Sequence, residues 1–198
     1  MGDQLRRLIA EAQACRLCEA QLPLGPRPVF TARAAATVVL VGQAPGSRVH
    51  ASGIPWDDAS GRTLRDWLDL PSETFYHHPG LAILPSGFCY PGRTARGDAP
   101  PRPECAQTWH RRFFAAMPQV QLIVAIGRYA QALYLEAPGA TLSDNVARYA
   151  EYLPQGRFPL PHPSPRNRRW VRDRPWFEAD VLPALRRAVH GALAACKP

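Results

Sequence analysis

The sequence predicts an α/β fold with three layers (α/β/α), in which helices cover both faces of a central, mainly parallel four-stranded sheet. Apolar runs at 36–41, 81–84 and 121–126 have the length and composition of buried strands, and a shorter run follows at 158–160. Strands that alternate with helical segments are typical of parallel sheets. The 198 residues fit one hydrophobic core, so we predict a single domain over residues 1–198.

The first half of the chain contains two predicted helices and two predicted strands. A helix begins near Asp3, because apolar residues follow at helical spacing, namely Leu5, Leu8, Ile9 and Ala12. The strand at 36–41 ends at Gly42, and Ser60 is predicted to cap the next helix. After the strand at 81–84, the segment 90–103 is rich in proline, glycine and arginine, and we predict a loop.

The second half repeats the alternation. A helix is predicted from about Glu104 to Met117, and the strand at 121–126 leads into a helix at 128–135. The short strand at 158–160 precedes a proline-rich segment, and a helix at about 177–194 closes the chain. Ligands of such sheets bind at the carboxyl ends of the strands. Functional residues are therefore expected in the loops that follow these strands.

Composition and charge exclude several classes of protein. The contents of 46% hydrophobic and 20% charged residues are typical of a folded chain, and no run reaches the ~18 apolar residues of a membrane span. The first residues lack a signal-peptide core, so we expect a cytoplasmic protein with reduced thiols. The net charge of +8 favours nucleic acid as a partner, although a merely basic protein has the same balance. One short segment combines Trp170 with five arginines, a mix suited to phosphates and exposed bases: Arg166, Arg168, Arg169, Arg172 and Arg174.

Four of the five cysteines form a pattern that suits a metal centre. Cys15 and Cys18 are a C-x2-C pair, and Cys89 and Cys105 follow much later in the chain. Reduced thiols favour metal ligation over disulfides. Four thiolates can hold a [4Fe–4S] cluster or a tetrahedral zinc ion, and the residues alone leave both open. Cys196 stands outside this pattern.

Two further positions are candidates for catalysis. His162 follows a predicted strand and has prolines on both sides, which makes the segment rigid and suits a positioned group. A histidine in this context also fits a satisfied core residue. Asp57 and Asp58 provide carboxylates that can stabilise positive charge and orient a water molecule, although two solvated loop acids would look the same.

Three segments carry a resemblance to a known family. The segments 42–46 (GQAPG), 123–128 (IVAIGR) and 162–167 (HPSPRN) occur in the order of the motifs of the uracil-DNA glycosylase superfamily. The order of the four cysteines is similar to that of its iron–sulfur branches, the bacterial families four and five. The resemblance implies a [4Fe–4S] cluster held by Cys15, Cys18, Cys89 and Cys105, with a structural role.

The resemblance also implies roles for the segment around His162. His162 is similar to the residue that stabilises the uracil anion as the glycosidic bond breaks. Ser164 and Asn167 would then face a phosphate, and Arg166 or Arg168 would fill the space left by the extruded base. Ser47, which follows the first motif, is expected to contact DNA as well.

Further implied residues line the expected base pocket. Asp58 lies where one iron–sulfur branch has a catalytic Asp, and Trp56 lies where the family has an aromatic residue that stacks on the base. Trp56 equally fits a core position. The first-motif residues Gly42, Gln43 and Ala44 are expected to contact the base.

Two departures from the family pattern affect the expected activity. The best-known branch has an Asp at the position of Ala44, so here the catalytic carboxylate must come from Asp57 or Asp58, or be missing. The family also has an asparagine that reads the pyrimidine edge. In this sequence the corresponding residue is Pro85, and Ser86 follows it. A Ser86 hydroxyl and backbone groups would then read the base, which favours acceptance of other deaminated bases beside uracil.

The function implied is that of a DNA glycosylase that flips uracil from DNA and leaves an abasic site. A strand-cutting glycosylase uses an amine nucleophile, and the single lysine, Lys197, lies next to the C-terminus. A monofunctional enzyme is therefore expected. We also expect it to be a monomer and to be associated with the nucleoid. The alternative is a protein of the same fold that binds uracil-containing DNA without turnover. A covalent variant of that alternative, which uses a histidine in an inserted loop, is disfavoured because 90–104 contains none.

Overall fold

Four parallel strands form the centre of the protein, as seen in a computed structural model that describes residues 2–95 and 97–197. These strands are β1 (Val38–Val41), β2 (Leu81–Ile83), β5 (Leu122–Ile126) and β6 (Arg157–Leu160). Their order in the sheet is β2-β1-β5-β6, and each neighbouring pair is parallel. This confirms the predicted fold class.

Alternation along the strands creates the three layers. Successive side chains of a strand point to opposite faces, so Val38 and Leu40 join one apolar cluster while Val39 and Val41 join the other. Helices α3 (Ala59–Leu68), α4 (Ser72–His77), α7 (Leu142–Ala147) and α10 (Leu182–Ala194) contribute to the first cluster. Helices α1 (Gly2–Gln13), α5 (Pro103–Ala116) and α6 (Gly127–Tyr134) contribute to the second.

Several short elements complete the described chain. Helix α2 spans Ser47–Ser52, α8 spans Tyr149–Tyr152 and α9 spans Arg168–Arg172. Turns of 3-10 helix lie at Glu19–Gln21, Leu153–Gln155 and Pro165–Asn167, and a π-helical turn at Phe177–Val181 precedes α10. Among the described residues, no helix is both long and apolar enough to cross a membrane.

Two local predictions are wrong. The segment 90–103 is not only loop, because β3 (Arg93–Thr94) and β4 (Gly97–Asp98) form an antiparallel hairpin within it. The cap of α3 is Asp58 and not Ser60: Asp58 has an extended backbone and its carboxylate accepts a hydrogen bond from the Gly61 amide at 2.8 Å. An acidic side chain at this position satisfies a free amide and favours the positive end of the helix.

Candidate functional site

A polar cleft opens at the carboxyl ends of the strands, where ligands of parallel sheets bind. It offers about 260 Å³ of space to water and is open to solvent on one side. The loops after β1, β2 and β6 and the start of α3 all contribute to it. Its lining includes Gly42, Gln43, Ala44, Gly46, Trp56, Asp58, Ser60, Pro85, Asp98, His162, Ser164 and Arg166.

The loop after β1 is fixed by the loop after β2. Both the amide and the hydroxyl of Ser86 donate to the Gly42 carbonyl, at 2.9 and 2.8 Å, and the Gly87 amide donates to the Gln43 carbonyl. Ser86 is 3% exposed and does not line the cleft. The Gln43 side-chain amide donates to the Ala99 carbonyl at 3.2 Å. Ser86 thus braces the first motif, and Gln43 connects it to the hairpin.

Trp56 has a strained backbone at the wall of the cleft. Its φ of +58° lies in the left-handed region, which costs a residue other than glycine about 1–2 kcal/mol. The carbonyl of Trp56 accepts hydrogen bonds from Tyr76 and Arg65, and its indole lies against Gly42, where a Cβ atom would be 2.8 Å from the ring. A Cβ atom on Gly61 would lie 1.7 Å from the Trp56 carbonyl oxygen. Two glycines therefore make this position of the indole possible.

Asp58 and His162 face the same space and influence each other. Burial lowers the pKa of His162 below its ordinary value, and the nearby charge of Asp58 opposes that shift. The imidazole is therefore neutral at pH 7. Its ring lies 5.6 Å from that of Trp56, and neither ring nitrogen has a hydrogen-bond partner within the described residues. A neutral imidazole and a carboxylate beside an aromatic wall can stabilise opposite charges that develop on one bound molecule.

The loop that carries His162 is held at both ends. The Asn167 side chain donates to the His162 carbonyl at 2.8 Å, and the Ser164 hydroxyl accepts from the Arg166 amide. Gly127, whose φ is +81°, allows β5 and its loop to pass close to His162. The predicted phosphate ligands Ser164 and Asn167 thus also shape this loop.

A chain of buried side chains supports the strand before this loop. Gln131 donates to the Leu160 carbonyl at 2.9 Å and accepts from the Asn145 side-chain amide at 2.9 Å. The Asn145 oxygen in turn accepts from the Gly139 amide and the Tyr152 hydroxyl. Buried polar groups that are fully bonded keep one arrangement of the backbone. These side chains therefore fix the end of β6, two residues before His162.

The arginine-rich segment divides between surface and core. Arg166 and Arg168 are exposed; Arg166 lines the cleft, and Arg168 lines an adjoining groove together with Ser164 and Arg172. Trp170 instead donates to Ser143 and packs against Trp176 and Phe177. Arg166 and Arg168 thus lie on the surface beside the cleft, whereas the tryptophan belongs to the core side.

The structure brings most of the predicted site residues together, but not all of them. Asp57 and Ser47 are exposed outside the cleft lining, and Arg168 lies in the adjoining groove. Asn167 borders a second opening that shares His162 with the cleft. One lining residue, Asp98 on β4, was not among the candidates from sequence. An acid beside glycine in an otherwise basic segment was the available signal for it.

The four patterned cysteines line a second, apolar cavity beside α1 and the start of α5. It is narrow, offers only about 20 Å³ of space to water and is partly open, and its lining includes Cys15, Cys18, Cys89 and Cys105. Among the described residues, no set of three or more His, Cys, Asp or Glu side chains is grouped as a metal ion requires. The four cysteines share one cavity. Cys196 lies away from it, where its thiol donates a hydrogen bond to the Ala35 carbonyl.

Nitrogen groups lie beside three of these sulfur atoms. The Phe88 amide donates to Cys105 at 3.2 Å. The Arg27 backbone and the Arg102 side chain act to lower the pKa of Cys89 and of Cys18, although burial outweighs them. Burial raises the pKa of Cys89 to about 11 and that of Cys105 to about 12. Donors of this kind favour the charged thiolate that metals bind.

A family model matches most of the chain. Residues 28–186, more than half of the chain, match the model described as the Uracil DNA glycosylase superfamily. All three motif segments, Cys89 and Cys105 lie inside the match, whereas Cys15 and Cys18 precede it. The chain therefore belongs to the uracil-DNA glycosylase superfamily, whose members act on DNA as repair glycosylases.

Proposed function

We propose that the protein is a monofunctional DNA glycosylase that hydrolyses the N-glycosidic bond of uracil, and of other deaminated bases, flipped out of DNA. The observation that carries the proposal is the cleft in which Trp56, Asp58 and His162 meet at the carboxyl edge of the sheet. Bases can be reached for such chemistry only outside the stack. A cleft of this kind with an aromatic wall suits an extruded base.

His162 and Asp58 each stabilise one of the two charges that develop during bond cleavage. As the glycosidic bond breaks, negative charge develops on the base and positive charge on the sugar. The neutral His162 imidazole donates its N–H to a carbonyl oxygen of the leaving base, where burial strengthens the hydrogen bond. Asp58, held as the cap of α3, stabilises the sugar cation. Trp56 stacks on the base and orients it.

The position of Lys197 supports hydrolysis without strand cleavage. Its neighbour Cys196 donates a hydrogen bond to the carbonyl of Ala35, which precedes β1, and lies next to Gly80, which precedes β2. The single lysine therefore lies at the amino ends of the strands, opposite the cleft. A Schiff base with the sugar needs an amine at the reacting carbon, so borohydride should trap no covalent adduct with DNA.

The experiment that tests the proposal is a single-turnover assay on an oligonucleotide that contains uracil, with parallel substrates that contain hypoxanthine or xanthine. Alkali cleavage reveals abasic sites. We expect His162→Ala and Asp58→Asn each to lower the rate constant by about 10²–10³-fold, the usual cost of losing one preorganised electrostatic group.

His77→Ala and Asp66→Asn are matched controls, because both side chains are exposed outside the cleft. Both should keep the rate of the unsubstituted protein. Tight, uracil-dependent retention of DNA without any abasic product would contradict the proposal and favour the binding protein. Efficient borohydride trapping would contradict the absence of lyase activity.

We also propose that Cys15, Cys18, Cys89 and Cys105 hold a [4Fe–4S] cluster. The supporting observations are that four thiols line one cavity and that the Phe88 amide donates to one of them, Cys105. When bound, the cluster would supply a structural cross-link and no redox step in the hydrolysis. The four side chains would tie the segment after α1 to the loop after β2 and to the start of α5.

Metal analysis of protein purified without oxygen tests this assignment. We expect about four iron and four acid-labile sulfide per chain, with loss of both in Cys89→Ser and retention in the control Cys196→Ser. Stoichiometric zinc with no sulfide would contradict it. Activity is not the readout, so this outcome is independent of the glycosylase assay.

A further inference from the structure

The hairpin β3–β4 forms one wall of the cleft. The Gln43 side chain holds it through the Ala99 carbonyl at 3.2 Å, and the Ala99 amide donates to Gly92. On the other side the Arg166 guanidinium lies so close that a Cβ atom on Gly97 would be 2.5 Å from it. The hairpin is therefore anchored between the first-motif loop and the loop of His162.

This placement directs the Asp98 carboxylate at the first-motif loop. Its Oδ2 would lie 3.6 Å from a Cβ atom on Gly46, an ordinary contact distance, so the carboxylate lies beside the end of that loop. Asp98 lines the cleft and also a second opening of about 250 Å³ of water-accessible space, and His162 lines both. Asp98 and His162 therefore border the same two openings of the cleft.

The two carboxylates of the cleft differ in what they bind. One oxygen of Asp58 is committed to the Gly61 amide. The Asp98 carboxylate has no hydrogen bond or ion pair with any residue in 2–95 or 97–197. Asp98 is also exposed at the mouth, whereas Asp58 and His162 are partly buried. An unbonded carboxylate at the mouth is free to accept a proton from water.

We propose that Asp98 is the catalytic carboxylate that activates the attacking water, an inference that rests on the proposed glycosylase function. A nucleotide that enters base first has its sugar at the mouth, within reach of Asp98. The water oxygen forms a bond to C1′, the C1′–N bond breaks, and its electron pair leaves with the base. The water proton passes to the Asp98 carboxylate and then to solvent. Asp58 stabilises the sugar cation but does not take the proton.

The test uses the full protein and the best substrate of the single-turnover assay. Asp98→Asn should lower the rate constant for base release by about 10²-fold or more, within the range for general base catalysis. Affinity for the same DNA should stay equal or rise, since a negative charge is removed from a DNA-facing cleft. The control Asp66→Asn makes the same charge change outside the cleft and should leave both values unchanged.

Chemical rescue separates a proton acceptor from a structural role. Asp98→Ala should be as slow as Asp98→Asn, and added formate should restore at least ~10-fold of the rate in Asp98→Ala only. An active unsubstituted protein whose Asp98→Asn variant keeps its rate, or changes only its preference among bases, would overturn the inference and leave the proposed function intact. An unsubstituted protein that is inactive on every substrate would overturn both.

Discussion

At the scale of single residues, His162 combines burial with an adjacent negative charge. Burial lowers its pKa, and the Asp58 carboxylate raises it part of the way back. The protein therefore keeps a neutral imidazole at the position where the proposed mechanism places charge on the base. A protonated imidazole would place a positive charge in the cleft, which burial disfavours unless a negative group pairs with it.

This balance gives a prediction for the titration of the ring. The NMR titration midpoint of His162 should lie below 6.5 in the unsubstituted protein. Asp58→Asn should lower the midpoint further, because it removes the charge that opposes burial. Asp57→Asn, an equal charge change at an exposed neighbour, is the control. A midpoint that rises in Asp58→Asn would contradict the electrostatic coupling.

His110 gives a second prediction, for stability against pH. Burial lowers the pKa of His110 to about 4, and the ring bonds to Tyr134 and to the Pro85 carbonyl. In the unfolded chain His110 binds a proton near pH 6.5, whereas in the folded chain it binds one only near pH 4. The contribution of His110 is therefore complete above pH 6.5 and is lost as the pH falls towards 4, a change of about 3 kcal/mol.

The measurement is urea unfolding between pH 7.5 and 4.5. His110→Gln should be less stable at neutral pH, since Pro85 and Tyr134 lose their partner. Its free energy of unfolding should nevertheless change less with pH than that of the unsubstituted protein. Equal pH slopes for the two proteins would show that the ring titrates normally in the fold.

At the scale of elements, the start of α3 carries the geometry of the cleft. Its cap is Asp58, and its first turn approaches the strained Trp56 so closely that only glycine fits at residue 61. Gly61→Ala should cost about 1–3 kcal/mol of stability, as expected for overpacking against backbone that cannot retreat. It should also displace Trp56 and Asp58 and slow base release.

Gly191 is the matched control for this substitution. It lies inside α10 on the surface, and a Cβ atom there would meet nothing within 4 Å. Gly191→Ala should stabilise the protein by about 0.5–1 kcal/mol through helix propensity. Urea unfolding of both variants checks the pair, and equal midpoints would refute the close contact at Gly61.

At the scale of the whole molecule, part of the net charge of +8 lies on the surface around the cleft. Arg166 faces the cleft, and Arg168 and Arg172 line the adjoining groove. The proposed DNA path therefore crosses a positive surface around a cleft that contains two carboxylates. Each phosphate contact releases counterions, so affinity for DNA should fall steeply with salt.

Arg168→Ala tests this surface. It should weaken DNA binding at low salt and reduce the slope of log K against log salt by about one. Arg7→Ala removes the same charge from α1, away from the cleft, and should keep the slope. A slope that is the same for Arg168→Ala and the unsubstituted protein would place the DNA elsewhere.

Much of the fold was predictable because its signals are local. Continuous apolar runs predicted the four strands of the sheet, and apolar residues at helical spacing predicted the main helices, to within a few residues. The hairpin at 93–98 was missed because each of its strands has two residues and no apolar pattern. The predicted single domain, monomeric state and iron–sulfur cluster stay predictions.

The candidate site was predictable in part for the same reason. The motifs directly after β1 and β6 placed Gly42 and His162 at one edge of the sheet, where the structure has them. The resemblance assigned the Ser86 hydroxyl to the base, whereas in the structure this hydroxyl donates to the Gly42 carbonyl and braces the first motif. The sequence also could not decide between Asp57 and Asp58, since one is exposed and the other caps a helix only once α3 has formed.

The sequence by itself determined the layers, the edge at which the cleft opens, the basic character and the family motifs, because these follow from composition and short-range order. Only the tertiary structure decided which side chains share the cleft. Asp98 reaches Gly46 through a hairpin far along the chain, and the four cysteines share a cavity because α1 packs against α5. Such contacts depend on strand order and helix packing, which no local pattern encodes.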